Sequence, residues 1–121
     1  MSTNKKRGER VFRVAFADEE LRNSFEALKN GRFEERRLAE RLQRAFDKLE
    51  ENPKAGVAVP KSLWPTVYVK KYGIDNLRKL DLPEGWRLVY TLKGNEVEII
   101  ALVLEWFSHP GYAKRFGYKK R

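Results

Sequence analysis

Trp86-Arg87-Leu88-Val89-Tyr90-Thr91-Leu92, a Gly94-Asn95 break, and Val97-Glu98-Ile99-Ile100-Ala101-Leu102-Val103-Leu104-Glu105-Trp106 form the stretch that decides the fold. The first run is apolar and aromatic, the Gly-Asn pair suits a tight loop, and the second run is longer and more apolar. Together they predict a β-hairpin. Residues 99–104 are apolar at every position, and therefore on both faces of a strand. That belongs to a central strand covered on both sides, or covered by helices on one face and by a partner on the other.

Working back from the hairpin, Pro83-Glu84-Gly85 reads as a turn, and 77–82 and 66–69 read as extended. Residues 54–65, with Gly56, Pro60 and Pro65, read as a loop holding a short extended piece at 57–59. Further back, Leu38, Leu42, Phe46 and Leu49 make one apolar stripe of a helix over Phe33–Glu51, which Asn52-Pro53 ends. A preceding helix has Asp18 as its N-cap, Glu19 and Glu20 in its first turn, and Leu21, Phe25 and Leu28 on one face. Asn30-Gly31 stops it, and so short a turn predicts an antiparallel helical hairpin. Val11–Phe16 alternates apolar and polar residues as a half-buried strand does.

The predicted class is α+β: an N-terminal strand, then an antiparallel helical hairpin packed on a twisted, mostly antiparallel sheet of three to four further strands. Residues 1–10 read as a disordered basic arm, and 11–121 as one domain. After the last strand, His109-Pro110-Gly111 is expected to break the order and release a short basic tail carrying Tyr112, Phe116 and Tyr118.

The chain has 121 residues and a formal charge of +9, from 26 Lys+Arg against 17 Asp+Glu. The charge is not spread evenly. Residues 11–53 hold nine basic and ten acidic side chains, whereas 54–93 hold eight basic and three acidic, and 112–121 hold five basic and none acidic. A field concentrated on the strand region and the ends suits a polyanion. With no cysteine and one histidine, disulfides, thiolate chemistry and a structural zinc site all lack their side chains. No apolar run approaches the roughly 20 residues of a membrane span. The N-terminus carries charges with no apolar stretch behind them, unlike a secretory signal. A cytoplasmic protein with neither metal nor cofactor is the expectation.

The order of elements, together with Asn76-Leu77-Arg78-Lys79-Leu80-Asp81-Leu82-Pro83-Glu84-Gly85-Trp86-Arg87-Leu88-Val89-Tyr90, resembles the RelE/ParE toxin superfamily. Its members place a Gly-aromatic-Arg-Leu-Val-Tyr run on one sheet strand, here Gly85–Tyr90. An apolar strand then leads to a segment with a histidine or basic residues and a tyrosine. The likeness covers roughly residues 11–118. It implies a RelE-like toxin of a type II toxin–antitoxin pair, a metal-independent endoribonuclease cutting mRNA on the ribosome, with an antitoxin as partner.

The resemblance also implies roles. Arg87 matches the motif arginine and would clamp phosphate, which a guanidinium fork holds bidentately. Arg78 and Lys79 lie where such enzymes keep basic residues, and either would face RNA. Tyr112 falls where a functional tyrosine is common. His109 is the only side chain whose ordinary pKa lies near neutrality, so it suits proton transfer. Lys70, Lys71, Arg115 and Lys119 are further candidates for RNA phosphates. Departures exist: Trp106 and Phe107 stand where one branch has an arginine, and only Pro110-Gly111 separates His109 from Tyr112. Each residue also has a plainer reading, with Arg87 facing solvent, His109 capping, Tyr112 packing and Glu105 forming an ion pair. Two other functions therefore stay open: a gyrase-inhibiting toxin on the same scaffold, and a non-catalytic protein that binds RNA or the ribosome.

Overall fold

A computed structural model describes residues 10–117. The expected arm at residues 1–10 lies, Arg10 excepted, outside the described residues, as does Lys119. The deciding hairpin is β4 (Arg87–Gly94) and β5 (Glu98–Phe107). Asn95 closes it: its Oδ1 accepts from the backbone N–H of Val97 at 2.7 Å and of Glu98 at 3.0 Å. Across β4, β3 (Arg78–Asp81) runs antiparallel, and the two-residue β2 (Val57–Ala58) edges it. On the other side of β5, β1 (Val11–Phe16) lies parallel, giving the order β1-β5-β4-β3-β2. A parallel neighbour requires a crossover, and here the chain from β1 passes through the helical hairpin and then the other strands before it reaches β5.

That hairpin is α1 (Glu19–Lys29) and α2 (Phe33–Glu51). The stripe read from the sequence is the buried one, with Leu42 and Leu49 wholly buried and Leu38 and Phe46 nearly so. They pack on Leu88, Tyr90, Ala101 and Val103 of the sheet. Phe16, Phe25 and Phe46 meet edge to face or tilted, with centroids 5.2 to 5.7 Å apart.

Asp18 caps α1 as expected, its Oδ1 accepting the Leu21 N–H at 2.9 Å. Its carboxyl is held below the usual carboxylate range, first by that backbone N–H, then by the Tyr72 hydroxyl and Lys71. A depressed folded pKa adds stability that is present above the unfolded value and lost as pH falls through the folded one. Asp18→Ala is therefore expected to cost about 1 kcal/mol at neutral pH. In urea titrations the difference from wild type should shrink below about pH 4. A gap that persists unchanged into acid would sink this reading of the cap.

The opposite face of the sheet departs from the sequence reading in two places. Residues 66–69, expected to be extended, belong to helix α3 (Thr66–Tyr72), which a left-handed Gly73 ends at φ 59°. Three of the four residues, Thr66, Val67 and Val69, are β-branched and favour a strand. The structure buries Tyr68 alone and leaves both valines exposed, so packing of one ring decides the element. The segment after His109, expected to be an unstructured tail, is helix α4 (His109–Phe116) as far as it is described. Pro110 falls in its first turn, where its missing N–H costs nothing, and Gly117 closes it in the left-handed region at φ 73°. Tyr112 and Phe116, one turn apart, stack at 4.3 Å and are both buried.

Helices α3 and α4 build a second core with Leu77, Val89, Leu104 and Phe107. Strand β5 is thus covered on both sides where Ala101, Val103 and Leu104 lie, whereas Ile99, Ile100 and Leu102 stay half-buried. A register shift falls here: Val89 pairs with Glu105 but Tyr90 pairs with Val103, leaving Leu104 as an extra residue. This bulge puts both Leu104 and Glu105 on the α3–α4 side.

Candidate functional site

The turn at 83–85 is centred on Glu84, so β3 and β4 pair symmetrically about it: Asp81 opposite Arg87, Lys79 opposite Val89. Glu84 takes a left-handed conformation, φ 64°, unusual for a residue with a side chain. Two arginines of α2 hold its carboxylate, Arg41 at 2.8 Å and Arg37 at 3.2 Å. The turn is thereby tied to the helical hairpin, and the start of β4 with it.

Period-two alternation then sorts the basic residues by face. Val89 belongs to the second core, so Arg87, Asp81 and Lys79 share the α4 side. Arg78 goes the other way. Its guanidinium donates to the carbonyl of Gly56 at 2.8 and 3.1 Å and to that of Lys54 at 3.3 Å. Close by, the fully buried Tyr90 hydroxyl accepts the Gly56 N–H and donates to the Pro53 carbonyl. Burial is what chiefly pushes that phenol's pKa up. Gly56 tolerates no side chain, because a Cβ there would lie 2.5 Å from the Lys79 carbonyl oxygen. Arg78 clamps this loop and leaves Lys79 to face the site.

At the first position of β4, Arg87 comes within 2.8 Å of His109, Nη1 to Nδ1. A guanidinium only donates, so Nδ1 accepts, and its lone pair is occupied by Arg87. Arg87 also lies over Tyr112, whose buried ring has Arg87 Cζ 5.0 Å and Lys79 Nζ 5.9 Å from its centroid. The ring is a floor on which two cations rest by cation–π attraction. Gly85, at φ 82°, passes beside His109; a Cβ there would come to 3.7 Å from the histidine's own. Residues from β3, β4 and α4 thus converge as Lys79, Arg87, His109 and Tyr112.

The remaining candidates lie elsewhere. Lys70 is exposed on α3. Lys71 pairs with Asp18 at 3.3 Å. Arg115 grips Glu105 with both ends of its fork, at 3.1 and 3.0 Å, and Tyr68 donates to the same carboxylate at 2.6 Å. Glu105 is therefore the anchor of α4 and α3 on the bulge. Burial, then this carboxylate, pushes the Tyr68 phenol far above its ordinary range. Among the described residues no group of side chains has the make-up of a metal site, and no helix is long and apolar enough to cross a membrane.

One residue of the site was missed in the sequence. Asp81 places its Oδ1 3.2 Å from Lys79 Nζ and 3.2 Å from Arg87 Nε. The signal was there, since 81 and 87 are equidistant from the middle of the Pro83-Glu84-Gly85 turn.

The family of the ParE toxin of the type II toxin–antitoxin system parDE matches this chain over residues 16–105. No curated protein and no solved structure matches it. The matched span takes in the helical hairpin, β3, the turn and nearly all of the β4–β5 hairpin, which is most of the chain. The protein belongs to that family, within the RelE/ParE superfamily, and is a toxin of a toxin–antitoxin system, which implies an antitoxin partner.

Proposed function

We propose that this ParE-family toxin acts in the cytoplasm as an endoribonuclease that cuts mRNA on the ribosome. The observation carrying the reading is the 2.8 Å contact of His109 with Arg87, which shares the Tyr112 ring with Lys79. Cleavage through the ribose 2′-OH needs cations for the phosphate and a group that moves a proton. Arg87 and Lys79 supply the first, and His109 the second.

In the free protein Arg87 and His109 occupy one another. A phosphate taken by the Arg87 fork draws the guanidinium off Nδ1 and exposes that lone pair. Nδ1 then accepts the 2′-OH proton as the 2′ oxygen attacks phosphorus. The 5′ oxygen departs and receives the proton back from the imidazolium, leaving a 2′,3′-cyclic phosphate. Substrate binding thus switches on the base. Tyr112 serves as the rigid floor that aims both cations.

Inhibition of gyrase is the second reading, favoured by the ParE name of the matching family. One experiment separates them. Purified protein added to a translation reaction should cut ribosome-bound mRNA and leave gyrase supercoiling of plasmid DNA untouched. Intact mRNA with blocked supercoiling would replace the first reading by the second. Intact mRNA with normal translation and supercoiling would end both.

A further inference from the structure

Asp81 sits where a phosphate would have to go. It lies directly opposite Arg87 in the β3–β4 ladder and two residues along β3 from Lys79. Cross-strand partners keep their Cβ atoms about 5 Å apart, so backbone pairing keeps the root of this side chain beside Arg87. A single oxygen, Oδ1, is shared by both cations at 3.2 Å.

The fit is poor, and that is informative. Arg87 Nε is buried and has no aligned hydrogen-bond acceptor, although Asp81 Oδ1 is within ion-pair distance. A carboxylate fixed to the neighbouring strand reaches Nε from the side. A phosphate arriving from solvent can turn its oxygens to meet Nε and Nζ in line. Asp81 itself has a side chain 63% exposed, so it can swing into water at small cost.

We infer that Asp81 is a resident counter-anion: it occupies the Arg87–Lys79 pair in the free protein and is displaced by a phosphate of the bound nucleic acid. The inference rests on the reading of this face as a phosphate site. Its consequence is selectivity. An anion with no other hold on the protein has to compete with a carboxylate that is always present, whereas a polyanion held at several points displaces it. The residue raises the threshold for binding and takes no part in proton transfer.

The test uses a fluorescent all-deoxy oligonucleotide, which lacks the 2′-OH and cannot be cut, so binding is read apart from cleavage. Asp81→Asn preserves shape and removes the charge. Its dissociation constant should fall at least about threefold, with a salt dependence steeper by about one phosphate contact. In an Arg87→Ala background the same change should give no gain. Asp47→Asn, an equal loss of charge on the outer face of α2, should also give none. Unchanged or weaker binding by Asp81→Asn overturns the inference. So does an equal gain from Asp47→Asn or in the Arg87→Ala background, which would mean a general charge effect. Asp81→Ser, with melting temperatures for all variants, guards against a folding artefact. If the gain appears but wild-type protein cuts no mRNA, the nuclease reading fails alone; if mRNA is cut without the gain, this inference fails alone.

Discussion

Arg87→Ala is expected to slow cleavage of ribosome-bound mRNA by about 10²–10³-fold, the loss that follows removal of one preorganised donor to developing oxyanion charge. The side chain has no structural duty of comparable size. Among the described residues its head meets His109, Asp81 and the face of Tyr112, while the core beneath is made by Leu88 and Val89. The variant should therefore melt close to wild type, and the loss should appear in single-turnover rate more than in ribosome binding. Arg87→Lys should restore only part of the rate, because an ammonium lacks the planar fork and cannot keep both phosphate and ring in place. Cleavage by Arg87→Ala at the wild-type rate would remove the clamp from the mechanism.

His109→Ala is expected to cost about 10²-fold, at the low end of what a positioned acid–base group contributes. It is exposed at the first position of α4, so truncation removes chemistry and little packing. A readout beyond rate is available: His109→Gln, whose amide oxygen can still accept from Arg87 but which cannot move a proton, should be as slow as the alanine variant. Cleavage by His109→Gln at the wild-type rate would show that His109 moves no proton. It would then be a holder for Arg87, the plainer role its position also allows.

Both residues could be picked from the sequence, but for different reasons. Arg87 was legible because it stands inside a run, Gly85–Tyr90, whose strand character and turn are local properties. The helical hairpin was legible for the same reason, since the 38-42-46-49 stripe needs no partner to be recognised. Tyr112 was only half legible. Pro110-Gly111 looks like an end to order, yet a proline in the first turn of a helix is harmless, and Tyr112 and Phe116 at one-turn spacing were the sign of α4. Helix α3 was hidden more deeply. Nothing near 66–72 says that Tyr68 must reach Glu105, and that contact exists only because of the Leu104 bulge.

The division between Arg78 and Lys79 shows where local reading ends. Adjacent strand residues face opposite ways, so one register step decides which joins Arg87 and which clamps the 54–56 loop. The turn centre at Glu84 fixes that step. A left-handed glutamate is not something composition announces; it is held by arginines far back on α2. Asp81 escaped for the same reason. Its importance is a property of the pairing, not of the residue.

The parallel contact between β1 and β5 has a consequence in time. It joins Val11 to Glu98 and Phe16 to Val103, so β1 has to wait for β5, which follows every other strand of the sheet along the chain. Such long-range pairings form late and slow a fold. While translation is under way, the helical hairpin can form but has no finished sheet to bury its stripe against. His109 and the rest of α4 emerge after β5. The two cores and the Arg87–His109 contact are therefore completed only once β5 and α4 have been made. Until both have emerged, the site is unassembled and the helical stripe has no sheet to cover it.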